Sequence, residues 1–280
     1  MLAGAEGWNE SMMDAAAKPL SLLDFARMKR QGEKIVCLTA YDASFSAVLD
    51  RAGVDVILVG DSLGMVIQGH RTTLPVTVGD MVYHSRCVAR GKERAFLVAD
   101  LPFMSYATLE RAIGSATRLL QEGAAQMVKL EGGRQFGDTV RYLVERGIPV
   151  CGHLGLLPQS VNQVGGYRVQ GRSAEEAQRI LDDSVILEQA GASLLVLECV
   201  PSALAKRITQ TLNIPTIGIG AGMHCDGQVL VLYDMLDIGV EHRPKFSRNF
   251  MRGADSIQGG IGAYVAAVRD GRFPREEHGF

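Results

Sequence analysis

The feature that most constrains the fold is a series of short apolar runs separated by longer stretches of helical period. The runs are continuous rather than alternating, as in parallel strands covered on both faces. Eight occur, at Ile35–Ala40, Val54–Gly60, Ala95–Ala99, Gln126–Leu130, Ile148–Gly152, Leu194–Leu197, Ile214–Ile219 and Val229–Tyr233. Because eight strands favour closure over an open sheet, the sequence predicts an α/β protein with a (β/α)8, or TIM barrel, fold.

Amphipathic stretches fill most of the gaps between these runs. They predict helices at Ala43–Ala52, Thr108–Glu122, Phe136–Arg146, Ala174–Ala190 and Ser202–Leu212, with a closing helix at Ala254–Arg269. Glycine follows four of the helical patterns and precedes the next strand, at Gly53, Gly123, Gly147 and Gly191. Glycine enters the left-handed conformation without steric cost, so we expect these positions to terminate helices.

Two connections depart from this pattern. Leu154–Arg172, after the fifth strand, is rich in Gly, Gln and Asn and reads as too polar for a helix; long loops of this kind are usually lids or binding loops. Gly220–Gln228 is too short for a helix. Residues 1–20 are predicted to be an N-terminal extension, and residues 21–280 a single barrel domain with a C-terminal helix.

Composition limits the classes of partner and compartment. The net charge is −2 without a block of basic residues, which argues against nucleic acid or an anionic membrane as a partner. No apolar stretch approaches the roughly 20 residues of a membrane span, and the N-terminus lacks the apolar core of a secretory signal. The five cysteines include no C-x-x-C pair, so we expect small core residues and a reducing, cytoplasmic location.

Polar side chains stand at the ends of the predicted strands, where the active site of such a barrel lies. They are Thr39, Tyr41, Asp42, Asp61, Ser62, Asp100, Lys129, Glu131, His153 and Glu198. Five carboxylates at one mouth are costly unless a cation neutralises them. Asp61, Asp100 and Glu131 supply oxygen ligands that suit Mg²⁺ or Mn²⁺. Each acid alone could instead be a helix cap or an ion-pair partner, but three at consecutive strand ends favour a metal site.

The remaining groups at this mouth admit more than one role. Lys129 could form a Schiff base with a carbonyl substrate, or stay protonated and bind a carboxylate or developing oxyanion. A neighbouring metal would compete for the same carbonyl, which favours the second role. Glu198 lies in an apolar setting that favours proton abstraction. His153 could touch the substrate directly or orient another group.

These residues predict an enzyme that uses a divalent metal to turn a small 2-oxo acid into an enolate nucleophile. Two alternatives share the pattern. One is a metal-dependent lyase or aldolase that cleaves C–C or P–C bonds of 2-oxo acids on the same fold. The other is a barrel without catalytic activity that binds a small acid, since fold alone never excludes this.

At the same residues the chain resembles the ketopantoate hydroxymethyltransferase family. The matching segments extend over roughly residues 20 to 280 and together are far more specific than any single motif. They are Leu38–Asp42, Val59–Met65, Gln68–His70, Thr73–Thr77, Ala99–Phe103, Val128–Gly133, Pro149–Leu156, Pro158–Ser160, Leu197–Pro201, Ile217–Gly222 and Pro244–Phe246.

The resemblance implies a reaction and a set of roles. It implies transfer of a hydroxymethyl group from 5,10-methylenetetrahydrofolate to 3-methyl-2-oxobutanoate, giving 2-dehydropantoate for pantothenate biosynthesis. Asp61 and Asp100 would hold Mg²⁺ with Glu131 completing the site, Ser62 and Lys129 would contact the 2-oxo acid, and Glu198 would accept the proton. It also implies a barrel of the phosphoenolpyruvate/pyruvate superfamily type and a homodecamer.

Overall fold

Eight parallel strands form a closed barrel in the computed structural model, which describes residues 18–166, 168–239 and 243–280. Each strand pairs with the next along the chain, and β8 pairs with β1. The strands are β1 (Ile35–Thr39), β2 (Val56–Val59), β3 (Phe96–Asp100), β4 (Met127–Glu131), β5 (Val150–Gly155), β6 (Leu194–Glu198), β7 (Thr216–Ile219) and β8 (Gly227–Leu230). The predicted barrel fold is confirmed.

Helices cover the outside of the barrel, and the six helices predicted from the sequence agree with the observed ones to within three residues at each end. The observed helices are α1 (Leu22–Gln31), α2 (Ala43–Arg51), α3 (Leu63–Val66), α4 (Val78–Gly91), α5 (Leu109–Gln121), α6 (Gly137–Val144), α7 (Val161–Val164), α8 (Ala174–Gln189), α9 (Ser202–Thr211), α10 (Leu232–Leu236) and α11 (Ile257–Arg269). The connection between β2 and β3, for which the sequence pattern singled out no helix, carries α3 and α4.

The last strand lies earlier than predicted. It spans Gly227–Leu230 rather than Val229–Tyr233, and Leu232 begins α10. The polar start of the strand hides it in the sequence, because Gln228 is buried and its amide donates to the carbonyl of Gly222 at 3.1 Å. A side chain at Gly227 would place its Cβ 2.4 Å from the Ile35 carbonyl oxygen, so the pairing with β1 requires glycine here.

Helix termination follows the predicted glycines at three of four positions. Gly53, Gly147 and Gly191 have positive φ. The prediction for Gly123 is wrong, because Ala124, with φ 57°, takes the left-handed conformation there. Gly123 instead permits a close approach, since a Cβ would lie 2.6 Å from the carbonyl oxygen of Leu119.

The connection after β5 is less irregular than its composition indicated. A 3-10 turn at Pro158–Ser160 runs into α7, so the prediction that it is too polar for a helix is wrong for these residues. The turn buries Gln159, which is 6% exposed, between neighbouring strand ends. The connection between β7 and β8 contains no helix in its described residues, as predicted.

The two ends of the barrel carry different charges. At the amino ends of the strands, the fully buried Asp55 carboxylate accepts from Arg94 at 2.7 Å, from Arg269 at 2.8 Å and from the Val36 backbone at 2.9 Å. This network ties β1 and β2 to the closing helix α11. The network stabilises this end of the barrel, whereas the active sites of such barrels lie at the opposite end.

Other sequence predictions concern the chain as a whole. All five cysteines are free, and four of them are buried. Within the described ranges, none of the helices has the length and apolar character needed to cross a bilayer. The predicted N-terminal extension falls mostly on residues 1–17, which lie outside the described residues.

Candidate active site

The carboxyl ends of the strands surround a cavity of about 1170 Å³. Every residue predicted to bind metal or substrate, or to act as the base, lines it: Asp61, Ser62, Asp100, Lys129, Glu131, His153 and Glu198. Five of these seven side chains are only 3–4% exposed, and they are those of Asp61, Asp100, Lys129, Glu131 and His153. The barrel therefore brings together residues that are 137 positions apart at the extremes, from Asp61 to Glu198.

Asp61 and Asp100 are held against each other by the backbone. The Asp61 N–H donates to Asp100 Oδ2 at 3.0 Å, which follows from the pairing of Val59 with Ala99 in the β2–β3 register. The other Asp100 oxygen, Oδ1, lies 2.9 Å from the Lys129 ammonium. One carboxylate is thus positioned by the strand that carries the other.

A line of close contacts runs from Lys129 to Glu198. Lys129 Nζ lies 3.3 Å from His153 Nδ1, and His153 Nε2 lies 3.1 Å from Glu198 Oε2. Because a lysine ammonium only donates, Nδ1 accepts and the ring proton resides on Nε2, facing the glutamate. His153 therefore faces Glu198 at ion-pair distance, although Nε2 has no partner of hydrogen-bond geometry within the described chain.

The backbone around Glu198 is tightly constrained. Cys199 has φ 47°, a left-handed conformation that is unfavourable for a residue with a side chain. The Glu198 carbonyl accepts from Leu156 N–H at 2.8 Å, and a Cβ at Gly155 would lie 2.1 Å from that carbonyl. Glycine at 155 is therefore required for the β5 end to approach Glu198 so closely.

Two residues that the sequence patterns did not single out complete the cluster. Gln159 donates through its side chain to Asp61 Oδ2 at 2.8 Å and through its backbone to Glu131 Oε2 at 3.0 Å. Tyr106 donates its phenol hydrogen to Gln159 Oε1 at 2.7 Å, with the Glu131 carbonyl at 3.2 Å. Neither follows a strand directly, so the strand-end rule could not find them. Gln159 lies in the Pro158–Ser160 segment of the family resemblance, whereas no sequence signal marks Tyr106.

The prediction that Ser62 and Asp42 both face the active site holds for Ser62 only. Ser62 lines the cavity, and its hydroxyl lies 2.8 Å from the Tyr41 hydroxyl. Asp42 does not belong to the site, because its carboxylate accepts from the Phe45 N–H at 2.9 Å and caps α2. The capping alternative is thus correct for this acid.

Charge in the cluster is unbalanced. Burial raises the pKa of Asp61 well above its ordinary value, and the neighbouring Asp100 and Glu131 raise it further. Burial also raises the pKa of Asp100, although Lys129 opposes this. Burial alone would lower the pKa of Lys129, but Asp100, Glu131 and Asp61 outweigh it and raise the pKa above its ordinary value. A lysine held protonated is a poor Schiff-base nucleophile, which favours the electrostatic role.

The donor set fits a divalent cation that also takes ligands from outside the protein. Among the described residues, no three His, Cys, Asp or Glu side chains are arranged to hold a metal by themselves. The carboxylates of Asp61 and Asp100 offer hard oxygen ligands, and Asp100 Oδ1 has no partner of hydrogen-bond geometry within the described chain. Such a pair leaves positions for water and a chelating substrate.

The two oxygens of Glu131 have different surroundings. Its Oε2 accepts from the Gln159 backbone, and its Oε1 lies 3.6 Å from His153 Nδ1. Only Oε2 is therefore hydrogen-bonded within the protein, because Nδ1 accepts from Lys129 and offers Oε1 no hydrogen.

Comparison with known proteins identifies the family. The sequence profile of the family described as ketopantoate hydroxymethyltransferase matches residues 19–276. A 3-methyl-2-oxobutanoate hydroxymethyltransferase from Nitrosococcus oceani is 60% identical over 255 residues, covering 91% of this chain and 97% of the relative. Its namesake from Thiobacillus denitrificans is also 60% identical, over 263 residues, covering 94% of this chain and all of the relative.

Solved structures support the fold. A 2,3-dimethylmalate lyase, described as a member of the PEP mutase/isocitrate lyase superfamily, aligns with a TM-score of 0.56 at 14% identity over 79% of this chain and 81% of its own. A phosphonopyruvate hydrolase crystallised with oxalate and Mg²⁺ aligns with a TM-score of 0.57 at 11% identity, covering 75% and 80%. These similarities support the barrel fold, and the profile match together with the two relatives at 60% identity settles the family. The chain belongs to the ketopantoate hydroxymethyltransferase family.

Proposed function

We propose that this protein transfers a hydroxymethyl group from 5,10-methylenetetrahydrofolate to 3-methyl-2-oxobutanoate and releases 2-dehydropantoate. The observation that carries the proposal is the pairing of two groups in one cavity, the Asp61–Asp100–Lys129 cluster and the His153–Glu198 contact. The first can hold a metal and a carboxylate substrate, and the second can take a proton. The names of relatives at 60% identity support hydroxymethyl transfer to 3-methyl-2-oxobutanoate.

Each chemical step has a residue suited to it. Lys129 and Ser62 bind the polar end of the 2-oxo acid, with Lys129 kept protonated by its acidic neighbours. Glu198 removes the proton from C3, and His153 holds the glutamate in place through the 3.1 Å contact. The resulting carbon nucleophile forms a C–C bond to the one-carbon unit, and both C–N bonds that hold this carbon to the folate break. Water supplies the hydroxyl oxygen, and the two folate nitrogens take up the proton removed from C3 and one proton from that water.

Asp61 and Asp100 would hold Mg²⁺, with Glu131 reaching it through water. When bound, the ion would act as a Lewis acid that polarises the 2-oxo group and stabilises the enolate by several kcal/mol. Held protonated beside Asp100, Lys129 supplies a second positive charge at the same point.

The size of the cavity agrees with a second, larger substrate. Pockets for drug-sized ligands measure about 300 to 1000 Å³, and this cavity has about 1170 Å³. A small branched 2-oxo acid leaves most of that space unfilled. The folate would occupy the outer part, with its one-carbon unit directed toward Glu198.

The proposal is tested by hydrogen–deuterium exchange at C3 of 3-methyl-2-oxobutanoate in D₂O, followed by NMR with Mg²⁺ and without folate. Wild-type protein should catalyse the exchange, and Glu198→Gln should slow it by about 10²- to 10⁴-fold, the usual contribution of a general base. The matched control is Glu175→Gln, because the Glu175 side chain on α8 is 90% exposed. This variant should catalyse the C3 exchange at the wild-type rate.

Adding methylenetetrahydrofolate then separates the transferase from the metal-dependent lyase or aldolase. Product formation that requires the folate supports the transferase, whereas cleavage of a 2-oxo acid without folate would replace it by the lyase. If Glu198→Gln exchanges at the wild-type rate, Glu198 is not the base.

Four further expectations accompany this proposal. A place in pantothenate biosynthesis and a cytoplasmic location follow from the reaction and the free cysteines. We also expect a homodecamer, whose mass is measured by light scattering coupled to size-exclusion chromatography. We expect no nucleic-acid or membrane partner.

A further inference from the structure

Gln159, in the connection after β5, lies at the centre of a buried hydrogen-bond network. Its side-chain nitrogen Nε2 donates to Asp61 Oδ2 at 2.8 Å and to the Leu101 carbonyl at 3.0 Å. Its side-chain oxygen accepts from the Tyr106 hydroxyl at 2.7 Å, and its backbone N–H donates to Glu131 Oε2. The side chain is 6% exposed, so these contacts are shielded from water.

The network permits one orientation of the amide. If the amide were flipped, Oε1 would face a carboxylate and a backbone carbonyl, both of which only accept hydrogen bonds. In the observed orientation every polar atom of the amide has a partner of the right kind. The Nε2 hydrogens are therefore committed to Asp61 and Leu101, and they fix which way the Asp61 carboxylate faces.

We propose that Gln159 is a positioning residue that holds the Asp61 carboxylate in place for a divalent cation. The inference rests on the proposed function, because it takes Asp61 as a metal ligand. With Oδ2 held by the amide, Oδ1 is the oxygen left to a cation. The same residue restrains Glu131 through its backbone, so one turn of the connection after β5 fixes two of the three acids at the site.

The side-chain and backbone contacts can be separated by substitution. Gln159→Met keeps the length of the side chain and the backbone N–H to Glu131, but removes the donor to Asp61. Groups that orient metal ligands typically contribute 10- to 100-fold in metal affinity, and we expect a loss in that range. A matched control is Gln121→Met, on an exposed glutamine at the end of α5.

The test is titration of purified full-length protein with Mn²⁺, monitored by electron paramagnetic resonance, together with melting in EDTA. Gln159→Met should bind Mn²⁺ 10- to 100-fold more weakly than wild type and Gln121→Met. Its kcat should return to near the wild-type value at saturating Mn²⁺, a split that a merely structural role would not produce.

The outcomes distinguish this inference from the function on which it rests. If wild type binds no Mn²⁺, the metal role and this inference both fail. If wild type binds Mn²⁺ and folded Gln159→Met binds it equally well, the inference alone is overturned. Should Gln159→Met not fold, Tyr106→Phe removes the hydrogen bond that Gln159 Oε1 accepts. Weaker Mn²⁺ binding by that variant supports the inference, and unchanged binding overturns it.

Discussion

We predict that Asp61, a proposed metal ligand, destabilises the fold when no metal is bound. Asp61, Asp100 and Glu131 are buried around one ammonium, so their formal charges sum to −3 + 1 = −2. Asp61→Asn reduces the excess to −1 while keeping the backbone N–H to Asp100 and an oxygen that can accept from Gln159. We therefore expect the variant to be more stable than wild type in EDTA at pH 8.

The pH dependence follows from the raised pKa of Asp61. Below the unfolded value of 3.8, Asp61 is protonated in both states and the two proteins should be equally stable at this site. As the pH rises through the higher folded pKa, wild type loses stability because its ionised carboxylate is disfavoured by burial, Asp100 and Glu131. The stability advantage of Asp61→Asn over wild type should therefore increase as the pH rises.

Optimisation of surface charge commonly yields about 0.5–2 kcal/mol, and we expect a gain of at least that order from relief of the buried excess. For a domain of this size each kcal/mol shifts Tm by roughly 2–4 °C, so a gain of about 1–8 °C is expected. The assay is differential scanning fluorimetry in EDTA from pH 5 to 8, with the exposed Asp255→Asn as the matched control.

Adding Mg²⁺ should reverse the order of the two proteins. Metal at 100 times its Kd stabilises a binding-competent fold by about 2.7 kcal/mol, and only wild type keeps both acids. The reasoning is refuted if Asp61→Asn melts below wild type at pH 8 in EDTA.

Three further predictions concern residues around the site and the barrel wall. Cys199→Gly should unfold at the wild-type urea concentration or a higher one. Cys199→Val should lose about 1–3 kcal/mol in free energy of unfolding, because valine is strained at φ 47°. Equal stability of the two variants would contradict backbone strain at this position. Burial raises the pKa of Asp234 from 3.8 to about 6, so Asp234→Asn should match wild type below pH 4 and exceed it above pH 6 by at most about 3 kcal/mol; a constant gap in urea titrations would exclude this. Gly91→Ala should cost about 1–3 kcal/mol, because its Cβ would lie 2.1 Å from the Ala43 carbonyl oxygen, and an unchanged Tm would show that α2 and α4 can separate cheaply.

The barrel was predictable because its signal is local. Continuous apolar runs and helix-ending glycines record burial and backbone conformation residue by residue, and Gly53, Gly147 and Gly191 behave accordingly. The error at β8 has a different origin. Gln228 is polar but buried because its amide reaches the Gly222 carbonyl, and that contact exists only once the chain has folded.

The site was predictable to the extent that it is built from strand ends. Position after a strand places Asp61, Asp100 and Glu198 at one mouth, whatever the rest of the chain does. Position in the sequence does not distinguish an acid that caps a helix from one that binds a ligand, so the capping role of Asp42 became clear only from the structure. Gln159 enters from a connection, and its role depends on the orientation of one amide, which sequence spacing does not encode.

The cavity wall is asymmetric in a way that bears on how its specificity could change. Strands β7 and β8 contribute only Ile219 and Val229 to the lining, whereas all the acids proposed to handle metal and proton come from β2 to β6 and the residues directly after them. Ile219 pairs with Glu198 in the β6–β7 register, whereas Val229 pairs with Cys37 on β1. Directed evolution toward bulkier 2-oxo acids would therefore begin at Val229, where side-chain volume can change without a proposed catalytic group as the neighbour in the sheet.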